Sequence, residues 1–334
     1  MKTPVLIIGG SGFLGGHLSA ALRSRGIDTK VVDVVPSEGY IRGDVRDYKT
    51  VLELTRDAGT VFHLAGELPP HGWSKGKKGQ MWDIMVNGTE NVLKASLENK
   101  VKKVVYLSSS AVYGVPLQTP VSENAPKKPL DEYGRAKLRA EELCLAYASK
   151  GLDVTMIRPM TILGEGFVGI LRAVMEFICS GKPVYILGSG KNSIQMVHVD
   201  DIVRGCLLAA DKGRAGEAYN MAAGAPIPTV REEMEHMIKH AGTKSGVRPV
   251  PAFIVRPALA MVKAAGVAAV GTEVYNLADK TFVLSTEKAR LELGWKPTRE
   301  MLESLDESYD WYAKNRNAVK PTLSPWLRLA MMLP

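Results

Sequence analysis

Val5-Leu6-Ile7-Ile8-Gly9-Gly10-Ser11-Gly12-Phe13-Leu14-Gly15 decides the fold. A short run of β-branched and aliphatic residues ends in glycines spaced G-x-x-G-x-x-G, and Leu14 to Arg25 continues with the apolar spacing of a helix. Strand, tight glycine turn and helix in that order let a backbone approach a pyrophosphate. The helix N-terminal amides then face the phosphates, so side chains are excluded at Gly9, Gly12 and Gly15. A glycine triplet alone is weak, but here Asp33 ends the next strand. Its carboxylate stands where it can accept hydrogen bonds from an adenosine ribose. That carboxylate suits an unphosphorylated ribose and repels a 2′-phosphate, so NAD is expected rather than NADP.

Outward from this stretch, Lys30 to Val34, Thr60 to Leu64, Val104 to Leu107 and Val154 to Ile157 read as further strands. Met85 to Glu98 and Tyr133 to Ser149 read as helices between them. Strands separated by helices imply right-handed crossovers and a parallel sheet covered on both faces. The expected architecture is α/β, a Rossmann-type doubly wound parallel sheet with a smaller C-terminal substrate-binding domain. Residues 1–160 form the dinucleotide-binding domain, to which later segments can return, 161–320 mainly the substrate-binding region, and 321–334 an apolar tail.

The chain has 334 residues, 46% hydrophobic and 23% charged, a composition that places it among globular proteins. Met1 to Gly10 lacks the apolar region and cleavage site of a signal peptide. Cys144, Cys179 and Cys206 are odd in number and widely spaced, which argues against a disulfide framework or a metal site and for a cytoplasmic setting. The net charge of +8 comes from scattered residues without a nucleic-acid-binding signature, so no nucleic-acid partner is expected. The one tight cluster, Lys75, Lys77 and Lys78, reads as a solvated loop.

Phe253 to Gly271 is the most apolar stretch, yet Arg256, Pro257 and Lys263 make it unfit to span a bilayer. It reads as a core-facing helix, with a lid over a greasy substrate or a peripheral membrane contact as alternatives. The tail, Trp326, Leu327, Leu329, Met331, Met332 and Leu333, raises the same membrane question.

Tyr133 and Lys137, four apart, project from one helix face. An ammonium beside a phenol is expected to lower the phenol's pKa toward the range useful for proton exchange with a hydroxyl or ketone. By itself this spacing is common in helices. The hydroxyls of Ser108, Ser109 and Ser110, at the carboxyl end of a central strand, supply the context, because open α/β sheets bind ligands there.

Together, Gly9 to Gly15, His63-Leu64-Ala65-Gly66, Ser108-Ser109-Ser110, Tyr133-x-x-x-Lys137, Arg158-Pro159 and His198-Val199-Asp200-Asp201 resemble the extended short-chain dehydrogenase/reductase superfamily. That group includes NAD-dependent epimerases/dehydratases and 3β-hydroxysteroid dehydrogenase-like enzymes, and the likeness runs from Val5 to about Tyr312. The resemblance implies Tyr133 as catalytic acid/base, Lys137 tuning it and binding the nicotinamide ribose, and Ser109 as the catalytic hydroxyl, with Ser108 and Ser110 as neighbours. It implies NAD held by Gly9, Gly12, Phe13, Leu14, Gly15 and Asp33, by Asp44 and Val45 at the adenine, by Leu64, Ala65 and Gly66 beneath the cofactor, and by Pro159 at the nicotinamide. His63, His198, His236, Asp200, Asp201 and Arg204 are read as structural, and a homodimer is compatible with the family. Ile8 departs from the family's usual Thr, which bears on loop anchoring.

Within that family three departures bear on the reaction. Ser110-Ala111 stands where dehydratases carry Asp-Glu, Ile194 where nucleotide-sugar epimerases usually carry Arg, and Val274 to Lys288 contains no Arg. A diphosphate would lose bidentate guanidinium contacts. Pro69-Pro70, Gly188 to Asn192 and the 253–271 segment resemble instead the 3β-hydroxysteroid dehydrogenase-type members. The expectation is therefore hydride transfer between a secondary alcohol and a ketone on a hydrophobic, sterol-like small molecule. The alternatives are a nucleotide-sugar 4-epimerase with tightly bound NAD and a non-catalytic NAD-binding protein.

Overall fold

A computed structural model describes residues 1–35, 37–66, 75–166, 169, 171–253, 255 and 276–319. Its strands are β1 (Val5–Ile8), β2 (Thr29–Asp33), β3 (Ile41–Arg42), β4 (Thr60–His63), β5 (Lys103–Leu107), β6 (Val154–Pro159), β7 (Thr161–Leu163), β8 (Val184–Leu187), β9 (Met196–His198), β10 (Ala218–Met221) and β11 (Val247–Val250). Its α-helices are α1 (Phe13–Arg23), α2 (Tyr48–Thr55), α3 (Lys75–Trp82), α4 (Gly88–Glu98), α5 (Glu132–Ala148), α6 (Arg172–Cys179), α7 (Val199–Lys212), α8 (Val230–Ala241) and α9 (Met301–Asn315).

Seven strands form one parallel sheet in the order β10-β6-β5-β4-β1-β2-β3. Every residue of β1, β4 and β6 is buried, as expected when both faces of a sheet are covered, with the polar members Thr60, His63, Thr155 and Arg158 buried among the aliphatic ones. Leu18 and Leu22 of α1 pack with Ile202 and Cys206 of α7 on one face, and Val51 of α2, Leu93 of α4 and Cys144 of α5 lie on the other. β2 and β4 flank β1, so the strand order reverses direction at β1. Open sheets place ligands outside the carboxyl ends of strands at such a switch. Here those ends are Gly9 and Leu64.

The smaller body has its own core, with Met175 and Ile178 of α6, Met234 and Met237 of α8, and Leu305 and Tyr309 of α9 packed around Ile186. Residues 161–320 are not one continuous block, since α7 covers the main sheet and β10 completes it beside β6. Lys75, Lys77 and Lys78, expected in a loop, fall on the backbone of α3. The helix expected over Met85 to Glu98 begins as a π-turn, Asp83–Asn87, and continues as α4. Pro69-Pro70, nearly all of 253–271 and the tail 321–334 lie outside the described residues. Among the described residues no helix is long and apolar enough to cross a membrane.

Candidate active site

The glycine loop is built by backbone crowding. Gly9 has φ +90, and a Cβ there would lie 2.6 Å from the Ala65 amide nitrogen. A Cβ on Gly15 would stand 2.2 Å from the Gly9 carbonyl oxygen. Both positions therefore exclude a side chain, the first by conformation as well as space. Gly12 caps α1 in extended conformation and no side chain caps the helix, so the first-turn amides are not screened by a capping group. Phe13 and Leu14 open this helix.

Asp33 closes the loop from the side. Its Oδ2 accepts the Ser11 amide at 3.0 Å and its Oδ1 the Val35 amide at 3.1 Å. A carboxylate offers about four lone-pair sites, so two remain for an outside donor. Asp44 is gripped by Arg46, whose Nε donates to both carboxylate oxygens at 3.0 Å, and the guanidinium holds its pKa below the usual carboxylate range. Val45 is buried, and its carbonyl accepts Asn91 Nδ2 at 2.9 Å. Leu64 and Ala65 run directly over the glycine turn, with the Leu64 amide on the Ile8 carbonyl at 2.9 Å. Gly66 borders Lys137, because a Cβ at Gly66 would come within 3.6 Å of Lys137 Nζ.

The three candidate chemical groups meet at the carboxyl end of β5. Asp131 caps α5 by accepting the Gly134 amide at 2.6 Å, which places Tyr133 in the first helical turn. The Ser109 hydroxyl accepts the Ala111 amide at 3.2 Å and stands near enough to the Tyr133 phenol to act on its proton affinity. Lys137, one turn along, donates from Nζ to the Leu107 carbonyl at 2.6 Å, and Nζ lies 5.9 Å from the centre of the Tyr133 ring.

The expected lowering of the Tyr133 pKa is not found. Burial pushes the phenol up to about 12, the Ser109 hydroxyl opposes this, and Asp131 adds to it. Desolvation dominates, and the Lys137 ammonium is directed at the Leu107 carbonyl rather than at the phenol. Burial brings Lys137 down to about 8, against the fields of Glu141 and Cys144.

Ser108 and Ser110 separate from Ser109. Ser108 donates to Glu141 Oε1 at 2.6 Å in the core, and Ser110 is buried as the first residue of a short 3-10 turn. Arg158, next to Pro159 at the end of β6, grips Glu141 through Nε at 2.7 Å and Nη2 at 2.8 Å. Its Nη1 donates to Tyr113 Oη at 2.8 Å, and Tyr113 passes its own proton to Asn220 Oδ1 of β10 at 2.7 Å. Glu141 was not singled out by sequence. Its signal was the continued four-residue period Tyr133, Lys137, Glu141.

The other conspicuous polar residues have partners in the fold. His198 caps α7 and meets Glu307 at 3.0 Å, and Asp201 accepts Thr298 and Arg299 amides and the Arg204 guanidinium. His63 meets Thr89 Oγ1 at 2.9 Å and His236 meets Asp306. Among the described residues no group of three or more His, Cys, Asp or Glu side chains could hold a metal ion.

A parallel sheet with a glycine cradle at its switch point and a Ser, Tyr, Lys cluster at the end of β5 defines the extended short-chain dehydrogenase/reductase class. Comparison with known proteins gives the family. Residues 5–222 match the model of the NAD dependent epimerase/dehydratase family. A protein of Sinorhizobium fredii described as uncharacterized protein y4nG is 33% identical over 319 residues, covering 93% of this chain and 79% of that one. A 4-hydroxy-2-methyl-3-oxo-4-farnesyl-3,4-dihydroquinoline-1-oxide ketoreductase of Stigmatella aurantiaca is 29% identical over 86% of this chain and 90% of its own. The structure of MoeE5 in complex with UDP-glucose and NAD superposes with a TM-score of 0.74 at 27% identity, covering 94% of this chain and all of that one. The chain belongs to the NAD dependent epimerase/dehydratase family and is an NAD-dependent enzyme.

Proposed function

We propose that this enzyme interconverts a secondary alcohol and a ketone on a hydrophobic small molecule by net hydride transfer, with Tyr133 as acid/base, Lys137 beside it and Ser109 holding the reacting oxygen. The observation that carries this is the meeting of Ser109, Tyr133 and Lys137 at the carboxyl edge of β5, where Lys137 Nζ on the helix of Tyr133 donates to the Leu107 carbonyl at 2.6 Å and lies 5.9 Å from the Tyr133 ring centre.

The residues present fit NAD. The side-chain-free cradle of Gly9 and Gly15 leaves room for a pyrophosphate against the α1 amides, and the open acceptor sites of Asp33 suit a ribose diol. Gly12, Phe13 and Leu14 would share the pyrophosphate, Asp44 and Val45 would border the adenine, Leu64, Ala65 and Gly66 would lie under the dinucleotide, and Lys137 and Pro159 would line its nicotinamide end. Bound NAD would supply the carrier of the hydride. In the reducing direction Tyr133 donates its phenolic proton to the ketone oxygen while the Ser109 hydroxyl donates to the same oxygen. In the oxidising direction Tyr133 accepts the proton, which requires a phenolate, and the Lys137 ammonium favours that form.

The hydrophobic assignment is supported by Ile194, whose backbone bridges Phe282 and which brings no guanidinium to that position. The ketoreductase of Stigmatella aurantiaca, named for a farnesylated ketone, agrees with it. A second reading, sugar-nucleotide 4-epimerase, uses the same three residues and is favoured by the likeness to MoeE5 with its UDP-glucose. The test is to supply NAD with a 3β-hydroxysterol or with UDP-glucose and follow NADH absorbance beside product analysis. Stoichiometric NADH and a ketosterol support the first reading; sugar interconversion with no net NADH replaces it with the second.

A further inference from the structure

Tyr133, Lys137 and Glu141 recur at every fourth position of α5, so they descend one helix face from the sheet's carboxyl edge into the core. Glu141 is 2% exposed and Lys137 is 4% exposed. A carboxylate so placed is costly unless paired and hydrogen-bonded. Glu141 meets that condition through Ser108 at 2.6 Å and the Arg158 fork at 2.7 and 2.8 Å. Lys137 differs, because its Nζ donates to a neutral group, the Leu107 carbonyl.

The groups around this pair come from several elements. Tyr106 of β5 presents its ring 5.0 Å from Lys137 Nζ, and Tyr133 its ring at 5.9 Å. His63 of β4 is buried and held neutral, and Cys144 lies further along α5. Beyond Glu141 stand Arg158 of β6, and Glu123 and Lys127 from the connection between β5 and α5, with the Glu123 carbonyl on Arg158 Nη1 at 3.0 Å. Of these, Glu141 is the carboxylate whose field favours the Lys137 ammonium.

We propose that Glu141 is a positioning residue for the reacting centre: its single carboxylate is the counter-charge of Lys137 and, through Ser108 and Arg158, fixes the strand ends that present Ser109 and Pro159. The assignment rests on the reading of Tyr133, Lys137 and Ser109 given above, but its test needs no substrate. The full-length protein is labelled with ε-13C-lysine, the Lys137 resonance is assigned with Lys137→Met, and its titration is followed by NMR.

In Glu141→Gln the Lys137 midpoint should fall by about one pH unit or more, and in Glu141→Asp it should stay near that of the parent. A folded Glu141→Gln with an unmoved midpoint overturns the proposal. Should that variant fail to fold with Arg158 left unpaired, Arg158→Met is compared with the double variant Glu141→Leu/Arg158→Met, which removes both charges. The double variant must then show the lower midpoint, and equal midpoints overturn the proposal. Absence of NADH formation from any alcohol would instead defeat the oxidoreductase reading and leave the titration result standing.

Discussion

Lys137 Nζ donates to the carbonyl of Leu107 at 2.6 Å, tying α5 to the last residue of β5. That bond fixes the distance between the helix that carries Tyr133 and the strand end that leads to Ser109. Tyr133→Phe keeps the bond and the ring but removes the transferable proton, so kcat should fall by about 10² to 10⁴ while NAD affinity stays within about threefold. Lys137→Met should lower kcat comparably and weaken NAD as well. Steady-state rates beside fluorescence titration with NAD separate the two, and a fully active Tyr133→Phe enzyme would exclude the mechanism.

Gly9 and Gly16 sit in the same loop-helix unit with opposite demands. Alanine at Gly9 would put Cβ 2.6 Å from the Ala65 nitrogen at φ +90, whereas a Cβ on Gly16 meets nothing within 4 Å. Gly9→Ala is expected to cost about 2 kcal/mol or more of stability and most of the NAD affinity. Gly16→Ala should instead gain up to about 1 kcal/mol by helix propensity. Urea unfolding of the two variants checks this, and equal stabilities would mean the cradle is not as drawn.

Elements with a strong local pattern were readable in sequence. The runs at Val5–Ile8, Lys103–Leu107 and residues 154–157 are mostly aliphatic because both faces of the sheet are covered, and the glycine after the first and the serine after the second mark the site. β3 is two residues long and β10 is defined by pairing with β6, so neither is set by its own residues. At the site, spacing brings out Tyr133 and Lys137, and the family resemblance points to Ser109 among three adjacent serines, while the fold turns Ser108 into the core toward Glu141 and leaves Ser109 on the side of Tyr133. The phenol's pKa departs from the spacing-based expectation for a related reason. Desolvation depends on what packs around a group, and a four-residue spacing carries only the charge next to it.

His63 should govern an acid limb of stability. Its Nε2 lies 2.9 Å from Thr89 Oγ1, and Thr89 donates its own proton to the Met85 carbonyl, so the ring nitrogen is the donor of this pair. Burial, with the nearby Lys137 charge, holds the imidazole at about 3 against an ordinary 6.5. The unfolded chain therefore takes up a proton that the folded chain refuses. Stability is present in full above about 6.5 and drains away as pH falls toward about 3. Between about pH 7 and about pH 5 the loss from this residue should be about 2 kcal/mol. His63→Phe should flatten that slope, and denaturant unfolding at the two pH values is the check; an unchanged slope would place the acid sensitivity elsewhere.

Glu233 should act in the opposite sense on the alkaline side. It lies on α8, is 1% exposed, and its Oε1 has no hydrogen-bond partner among the described residues. Burial, and then the charge of Glu232, push its carboxyl up to about 8 from an ordinary 4.5. The folded protein thus keeps a proton that the unfolded chain releases, so stability falls as pH rises from about 4.5 to about 8. Glu233→Gln keeps the shape without the titration. Relative to the parent it should gain on the order of 2–4 kcal/mol between about pH 5 and about pH 8. Paired unfolding curves at those two values decide it. A gap between parent and variant that is the same at both would show that the carboxyl is ionised in the folded protein and has found a partner or water.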